Sequence, residues 1–287
     1  MSIIELRDVT YIYDGTDKLE SRAIRNVSIS VEKGEYIGII GHTGSGKSTL
    51  IKHLNCILKP TYGKVYIDGV DVWKDKKNLS KIRRKVGVVF QYPEYQLFEE
   101  TVENDIAFGP KNLGLSKEDI EKRVIRASKM VEIGGDLLFK SPFEISGGEK
   151  RRVAIAGILA MEPDVLVLDE PAAGLDPIGK EKILKIIEHY HKYEKRTVIH
   201  VTHSMEDVAK YADKILIMNS GEVVSYDSVY NTFRDVDMLK NIGLDIPQIT
   251  KVFFKLKQKG FNIPSNIYTV EDAVDIVKNI LIEKGKK

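Results

Sequence analysis

The sequence predicts an α/β fold with a mainly parallel core sheet, helices on its faces and a small helical appendage at the C-terminal end. Three observations lead there. Short apolar runs that read as strands alternate with stretches of helical periodicity, the pattern of parallel strands joined by crossover helices. One such run, Tyr36–Ile40, feeds directly into a glycine-rich loop that opens a helix. Another, Val165–Leu168, ends in the adjacent carboxylates Asp169 and Glu170.

The elements follow in order. Ile3–Val9 and Ala23–Val31 alternate as strands, separated by a turn-rich charged segment around Asp14-Gly15 and Lys18–Glu20. Tyr36–Ile40 is continuously apolar, as a strand covered on both faces requires. Lys47–Leu58 has helical periodicity, and Val65–Ile67 and Val86–Phe90 are further strands. From Thr101 to about Asp136 the pattern is helical, with Ser116 before Lys117-Glu118-Asp119 as an N-cap; this helical insert ends near Pro142. Alternation then resumes: helix Gly147–Met161, strand Val165–Leu168, helix Lys180–Tyr193, strand Thr197–Val201. Lys214–Met218 and Glu222–Ser225, joined by Asn219-Ser220-Gly221, form a closing hairpin. After Tyr226 the composition shifts, and helix-length segments Ile249–Lys259 and Val270–Ile282 flank Gly260–Pro264.

Composition narrows the class. The 287 residues are 43% hydrophobic and 30% charged, as in an ordinary globular protein. Lys and Arg number 44 against 42 Asp and Glu, and a net charge of +2 gives no reason to expect nucleic acid. The run Lys74–Lys77 reads as a solvated face. The single cysteine, Cys56, forms no disulfide within the chain, sits in a helix-like setting as a small buried hydrophobe, and fits a reducing cytoplasm. Met1–Glu5 lacks the features of a signal peptide. The longest apolar run, Val153–Met161, falls short of the ~18 residues that cross a bilayer, so any membrane role is expected to be peripheral.

The chemistry lies in the loops. Gly41-His42-Thr43-Gly44-Ser45-Gly46-Lys47-Ser48 fits the phosphate-loop pattern at every fixed position, between a strand and a helix that continues through Thr49. Its glycines let successive amides turn onto phosphates, and the helix N-terminus adds its positive end. Lys47 is placed to reach the β- and γ-phosphates, and Ser48 to ligate Mg2+. In a parallel sheet the tip of Val165–Leu168 abuts that loop. Asp169 there would hold magnesium, and Glu170 would orient or deprotonate the attacking water. Gln91 and His203 stand just past other strand ends, where Gln91 would sense γ-phosphate, magnesium or water and His203 would bond the γ-phosphate. The segment Ser146-Gly147-Gly148-Glu149 starts a helix with a hydroxyl and glycine amides, a second anion site. The first loop already serves one nucleotide, so the second is expected to serve one held by a partner subunit.

Together Tyr13, residues 41–48, Gln91, Ser146-Gly147-Gly148, Asp169-Glu170, Gly174-Leu175-Asp176 and His203 resemble the motif set of an ABC-type ATPase cassette, a P-loop NTPase, over roughly residues 2 to 226. The resemblance implies an antiparallel β subdomain, a helical subdomain at about 95–160, and a head-to-tail dimer with two ATPs between one subunit's phosphate loop and the other's signature. It also implies that Tyr13 stacks on adenine and that Asp176 links the two sites. Val88–Phe98 and Arg151–Gly157 are similar to the ATPases of energy-coupling-factor transporters, which import vitamins and transition-metal ions, and Gly41-His42-Thr43 is similar to the second of their two paralogous ATPases. This implies a paralogous ATPase or a second copy as partner, a transmembrane coupling subunit, a substrate-binding membrane subunit, a peripheral place on the cytoplasmic side of the cell membrane, and a role in dimerisation for residues 227–287. Gln91–Glu100 would line the docking groove, with Glu94, Glu99 and Glu100 facing basic side chains. Two positions depart from the family pattern: Glu149 stands where Gln is common, which is expected to slow the composite site, and Ala172 where Thr is usual. The competing reading is a soluble ABC-type ATPase acting on nucleic acid or ribosomes. A single phosphate loop, no long coiled coil and near-neutral charge weigh against it, and a simple phosphate-loop kinase leaves the signature without a role.

Overall fold

The computed structural model describes residues 2–13, 22–74, 79–264 and 267–285. The turn segment Asp14-Gly15 and Lys18–Glu20, and positions 75–77 of the lysine run, lie outside the described residues. The strands in chain order are β1 (Ser2–Ile12), β2 (Arg22–Glu32), β3 (Tyr36–Ile40), β4 (Tyr62–Ile67), β5 (Val70–Asp71), β6 (Val86–Val89), β7 (Val165–Asp169), β8 (Thr197–Val201), β9 (Lys214–Asn219) and β10 (Glu222–Ser228). They form two sheets. A four-stranded antiparallel sheet has the order β2-β1-β4-β5, and a six-stranded sheet the order β10-β9-β3-β8-β7-β6. In the larger sheet β9, β3, β8, β7 and β6 are parallel, and β10 closes the edge antiparallel to β9. Every residue of β3, β7 and β8 is buried, which explains why these strands read as unbroken apolar runs.

The helices are α1 (Lys47–Leu54), α2 (Leu79–Lys85), α3 (Val102–Asn112), α4 (Lys117–Met130), α5 (Gly135–Leu138), α6 (Gly147–Leu159), α7 (Pro177–Lys192), α8 (Met205–Tyr211), α9 (Val229–Arg234), α10 (Val236–Asn241), α11 (Gln248–Gln258) and α12 (Val270–Gly285). α1 is shorter than the expected Lys47–Leu58. Cys56 adopts φ +58°, and the amides of Ile57 and Leu58 turn back to the carbonyl of Lys52, so the helix cannot continue. α7 begins before the expected Lys180, because Asp176 caps it and Pro177 is pre-set for a first helical turn. Ser116 caps α4 as expected, accepting from the amide of Asp119 at 3.1 Å.

Helices α3 to α6 pack Val102, Ile106, Val124, Val131, Val153 and Ile155 into one core that continues onto Leu166 and Leu168 of the sheet. On another side, α9 and α10 seat Phe233 and Leu239 against Ile40, Ile215 and Ile217 of the larger sheet and Met205 and Val208 of α8. α11 and α12 gather a separate small core of Phe253, Ile263, Ile267 and Ala273. No helix among the described residues is long and apolar enough to cross a membrane.

Candidate active site

Register converges the site. Ile39 of β3 lies opposite Val201 of β8, Val201 opposite Asp169 of β7, and Leu168 opposite Val89 of β6. The four loops that leave these parallel strands therefore emerge at one edge, carrying Lys47, His203, Asp169-Glu170 and Gln91. Thr43, Gly44, Gly46, Lys47, Ser48, Thr49, Gln91, Asp169, Glu170 and His203 line one cleft of about 350 Å³.

The phosphate loop is glycine-dependent at two points. A Cβ at Gly41 would stand 2.3 Å from the carbonyl oxygen of Met218. Gly46 has φ +102°, and a Cβ there would meet the carbonyl of Ala23 at 2.6 Å. Lys47, 8% exposed, folds back over the loop, where its Nζ donates to the carbonyls of Gly41 (2.6 Å) and His42 (2.9 Å). Burial lowers its pKa. Neutral carbonyls are weaker partners for an ammonium than phosphate oxygens would be. Tyr13, half-exposed, reaches Thr49 Oγ1 with its hydroxyl at 3.3 Å and leaves ring surface open beside the loop.

The carboxylates differ in kind. Ser48 Oγ donates to Asp169 Oδ2 at 3.2 Å. Burial pushes the pKa of Asp169 up, opposed by Ser48 and by the charge of Lys47. Glu170 takes φ +51°, a left-handed conformation that costs a non-glycine residue about 1 kcal/mol or more, and its amide donates to the carbonyl of Val201 at 3.0 Å. Burial, and then the neighbouring Asp169 charge, raise its pKa to about 7. His203 Nε2 stands 3.3 Å from Glu170 Oε1. The imidazole's pKa is lowered by burial and by Lys47, so it is neutral at pH 7. A carboxyl poised near 7 is suited to take a proton from water. In the free protein the base form grows as pH rises through about 7, so kcat/KM of a reaction that uses this carboxylate as its base should climb about tenfold between about pH 6 and pH 8. A flat profile over that range would contradict this role.

Ser146-Gly147-Gly148-Glu149 begins α6, and none of these residues lines the cleft. Ser146 and Gly147 are exposed. A Cβ built on either glycine would meet nothing within 4 Å, and neither has positive φ, so the fold of this chain does not require glycine there. Residues 24–173 match the ABC transporter family. The energy-coupling factor transporter ATP-binding protein EcfA2 of Clostridium tetani is 53% identical over 271 residues, covering 94% of both chains. That of Clostridium acetobutylicum is 51% identical over 285 residues, covering 99% of both. The chain belongs to the energy-coupling factor ATP-binding proteins of the ABC transporter family. Among solved structures, cbiO1 from Clostridium perfringens, described as part of the ABC transporter complex cbiONQ, superposes with a TM-score of 0.74 at 35% identity, over 88% of this chain and 98% of that one. The ATP-binding cassette MJ0796, a dimer in a post-hydrolysis state bound to ADP and Pi, gives 0.70 at 32% identity, over 79% and 98%. The cassette thus binds and hydrolyses ATP.

Three details of this cassette come from its geometry. The Ser146 hydroxyl and amide both donate to Glu149 Oε2, at 2.7 and 2.8 Å, while Ser146 Oγ accepts from the Glu149 amide. This capping box uses the signature's own donors, and those bonds hold the Glu149 carboxyl below the usual carboxylate range. Asp176 is exposed and its Oδ1 accepts from the Gly179 amide at 2.6 Å, so in this chain alone it acts as a helix cap. Glu94 does not face outward to a basic partner. It is 16% exposed and forms a two-pronged ion pair with Arg151. Nothing in spacing marks the pair, since 57 residues separate its members.

Proposed function

We propose that this ATPase works as one half of a head-to-tail pair, with each ATP held between the phosphate loop of one cassette and the Ser146 signature of the other. The openness around Gly147 and Gly148 carries the reading: glycines that the chain's own packing does not need leave backbone amides accessible to a group from outside. Tyr13, the loop 41–48 and Thr49 hold the nucleotide, Glu170 acts on the attacking water, His203 and Gln91 border the γ-phosphate, and Asp176 meets the opposite site. Ser48, Asp169 and Gln91 would hold Mg2+. The donor set fits a hard cation, since all are oxygen ligands and Asp169 is a buried carboxylate whose hydrogen-bond partner is a neutral hydroxyl. When bound, the ion would neutralise charge on the β- and γ-phosphates.

Closure on ATP and reopening after hydrolysis would drive a transmembrane coupling subunit, which with a substrate-binding membrane subunit imports a vitamin or transition-metal ion. The cassette would sit peripherally on the cytoplasmic side of the cell membrane. The groove for the coupling subunit is the cavity of about 250 Å³ lined by Gln96, Leu97, Phe98, Phe108, Val153 and Ile158, bordered by exposed Tyr95. α11 and α12 expose Val252, Phe254, Val270, Val274 and Val277, apolar surface suited to pairing two cassettes. Capture from detergent-solubilised membranes through a tag on this chain tests the reading. A second cassette and polytopic membrane proteins are expected, whereas ribosomal proteins or nucleic acid in their place would favour the soluble alternative.

Glu149 tunes this site. For the signature to meet a γ-phosphate, Ser146 must leave a carboxylate, and a charged hydrogen bond is stronger than a neutral one by about 1 kcal/mol. Glu149→Gln should therefore raise turnover about fivefold at the composite site that uses this signature. Steady-state hydrolysis that is unchanged or slower would refute the competition.

A further inference from the structure

We propose that Arg151 is a positioning residue that links the turn after Gln91 to the loop carrying Glu170, so that movement of the docking groove reaches the catalytic carboxylate and the signature together. The inference rests on the transporter reading for the docking role of that turn. The link itself rests on the geometry of one guanidinium.

Arg151 lies in the second turn of α6 and is only 3% exposed. Its Nε donates to Glu94 Oε2 at 2.9 Å and its Nη2 to Glu94 Oε1 at 2.6 Å, a fork on a carboxylate in the turn Pro93–Gln96. Its Nη1 donates to the carbonyl of Pro171 at 3.4 Å and to that of Ala173. The guanidinium also lies 5.7 Å from the ring centre of Tyr92, which adopts φ +54° where the chain turns after Gln91. Three segments separated in sequence thus meet on one side chain. The docking turn supplies an acid, the signature helix supplies the arginine, and the residue directly after Glu170 supplies a carbonyl.

The chemistry favours a rigid coupling. Arg presents its donors in a fixed planar fork, so holding Glu94 with two nitrogens fixes where the third points. Lysine keeps the charge but cannot hold a carboxylate bidentately and two carbonyls at once. Ser146 and Arg151 share α6, so a rotation of that helix carries the signature and the fork as one body. Glu170 already sits in a strained backbone conformation, where a small displacement of Pro171 re-aims its carboxylate.

The test uses Arg151→Lys, Glu94→Gln and the double variant, each assayed for ATP hydrolysis in the complex captured through this chain. We expect kcat to fall about tenfold in each single variant, as misplacement of a catalytic group does, with KM for ATP changed less than about twofold. The double variant should fall no further than the worse single, because both lesions break one link. Unchanged kcat in Arg151→Lys, single losses that multiply in the double variant, or losses that track melting temperature and vanish on cooling would each overturn the proposal. If no membrane protein is captured, the transporter reading fails. The same comparison made on the purified chain then still decides for or against the link.

Discussion

Glu170→Gln should bind ATP as well as the unaltered chain or better, and hydrolyse it at least about 10²-fold more slowly. The substitution keeps size and hydrogen-bonding capacity but removes the base, whose carboxyl is poised at about 7 by burial and by Asp169. It also removes one of two adjacent carboxylates that oppose a negatively charged ligand, so affinity has no reason to drop. The backbone at φ +51° is as accessible to Gln as to Glu, so folding is preserved. Single-turnover hydrolysis beside equilibrium ATP binding reads both effects. Turnover near that of the unaltered chain would remove Glu170 from the chemistry, leaving the neutral His203, 3.3 Å away, as the nearest alternative.

Lys47→Ala should weaken ATP binding at its own phosphate loop by about 10²-fold, from the loss of charged hydrogen bonds worth about 1.5–3 kcal/mol each. In the free protein the lysine's hydrogen bonds go only to the loop carbonyls of Gly41 and His42, so its removal breaks no direct ion pair, and the carboxyls of Asp169 and Glu170 answer the loss of its charge by a further rise in pKa. The melting temperature should move little. Unaltered affinity would mean that the lysine does not leave those carbonyls for phosphate, and the loop would then be a structural turn.

Much of this site is legible in the sequence because its parts are local. A glycine loop between strand and helix, and an acidic pair at a strand tip, carry their chemistry within a few residues, and parallel strands oblige those tips to share an edge. The register of Ile39, Val201 and Asp169 is the physical expression of that rule. What stayed hidden is of two kinds. α8, α9 and α10 have seven, six and six residues, too short for helical periodicity to stand out, and they are stabilised by packing Val208, Phe233 and Leu239 into the cassette. The left-handed turns at Cys56 and Glu170 break helix and strand without glycine to announce them. The second kind is pairing through space: Arg151 with Glu94 and Glu170 with His203 are set by topology. The capping of Ser146 by Glu149 is local and carries its own signature, a serine followed three residues later by glutamate, but its consequence for an incoming phosphate needs the geometry.

The central claim is that Ser146 serves the ATP of the opposite cassette, and occlusion of labelled ATP in paired cassettes tests it directly. Two differently tagged cassettes are paired in a background with the catalytic glutamate replaced by Gln. Lys47→Ala and Ser146→Ala are then placed either on the same cassette or on opposite ones, using the corresponding residues where the partner is a paralogue. Placed on opposite cassettes, both lesions fall in one composite site, and half of the occluded ATP should remain. Placed on the same cassette, they disable both sites and none should remain. The reverse pattern, with half retained when both lesions share a cassette and none when they are divided, would contradict the sandwich and confine the signature to its own subunit.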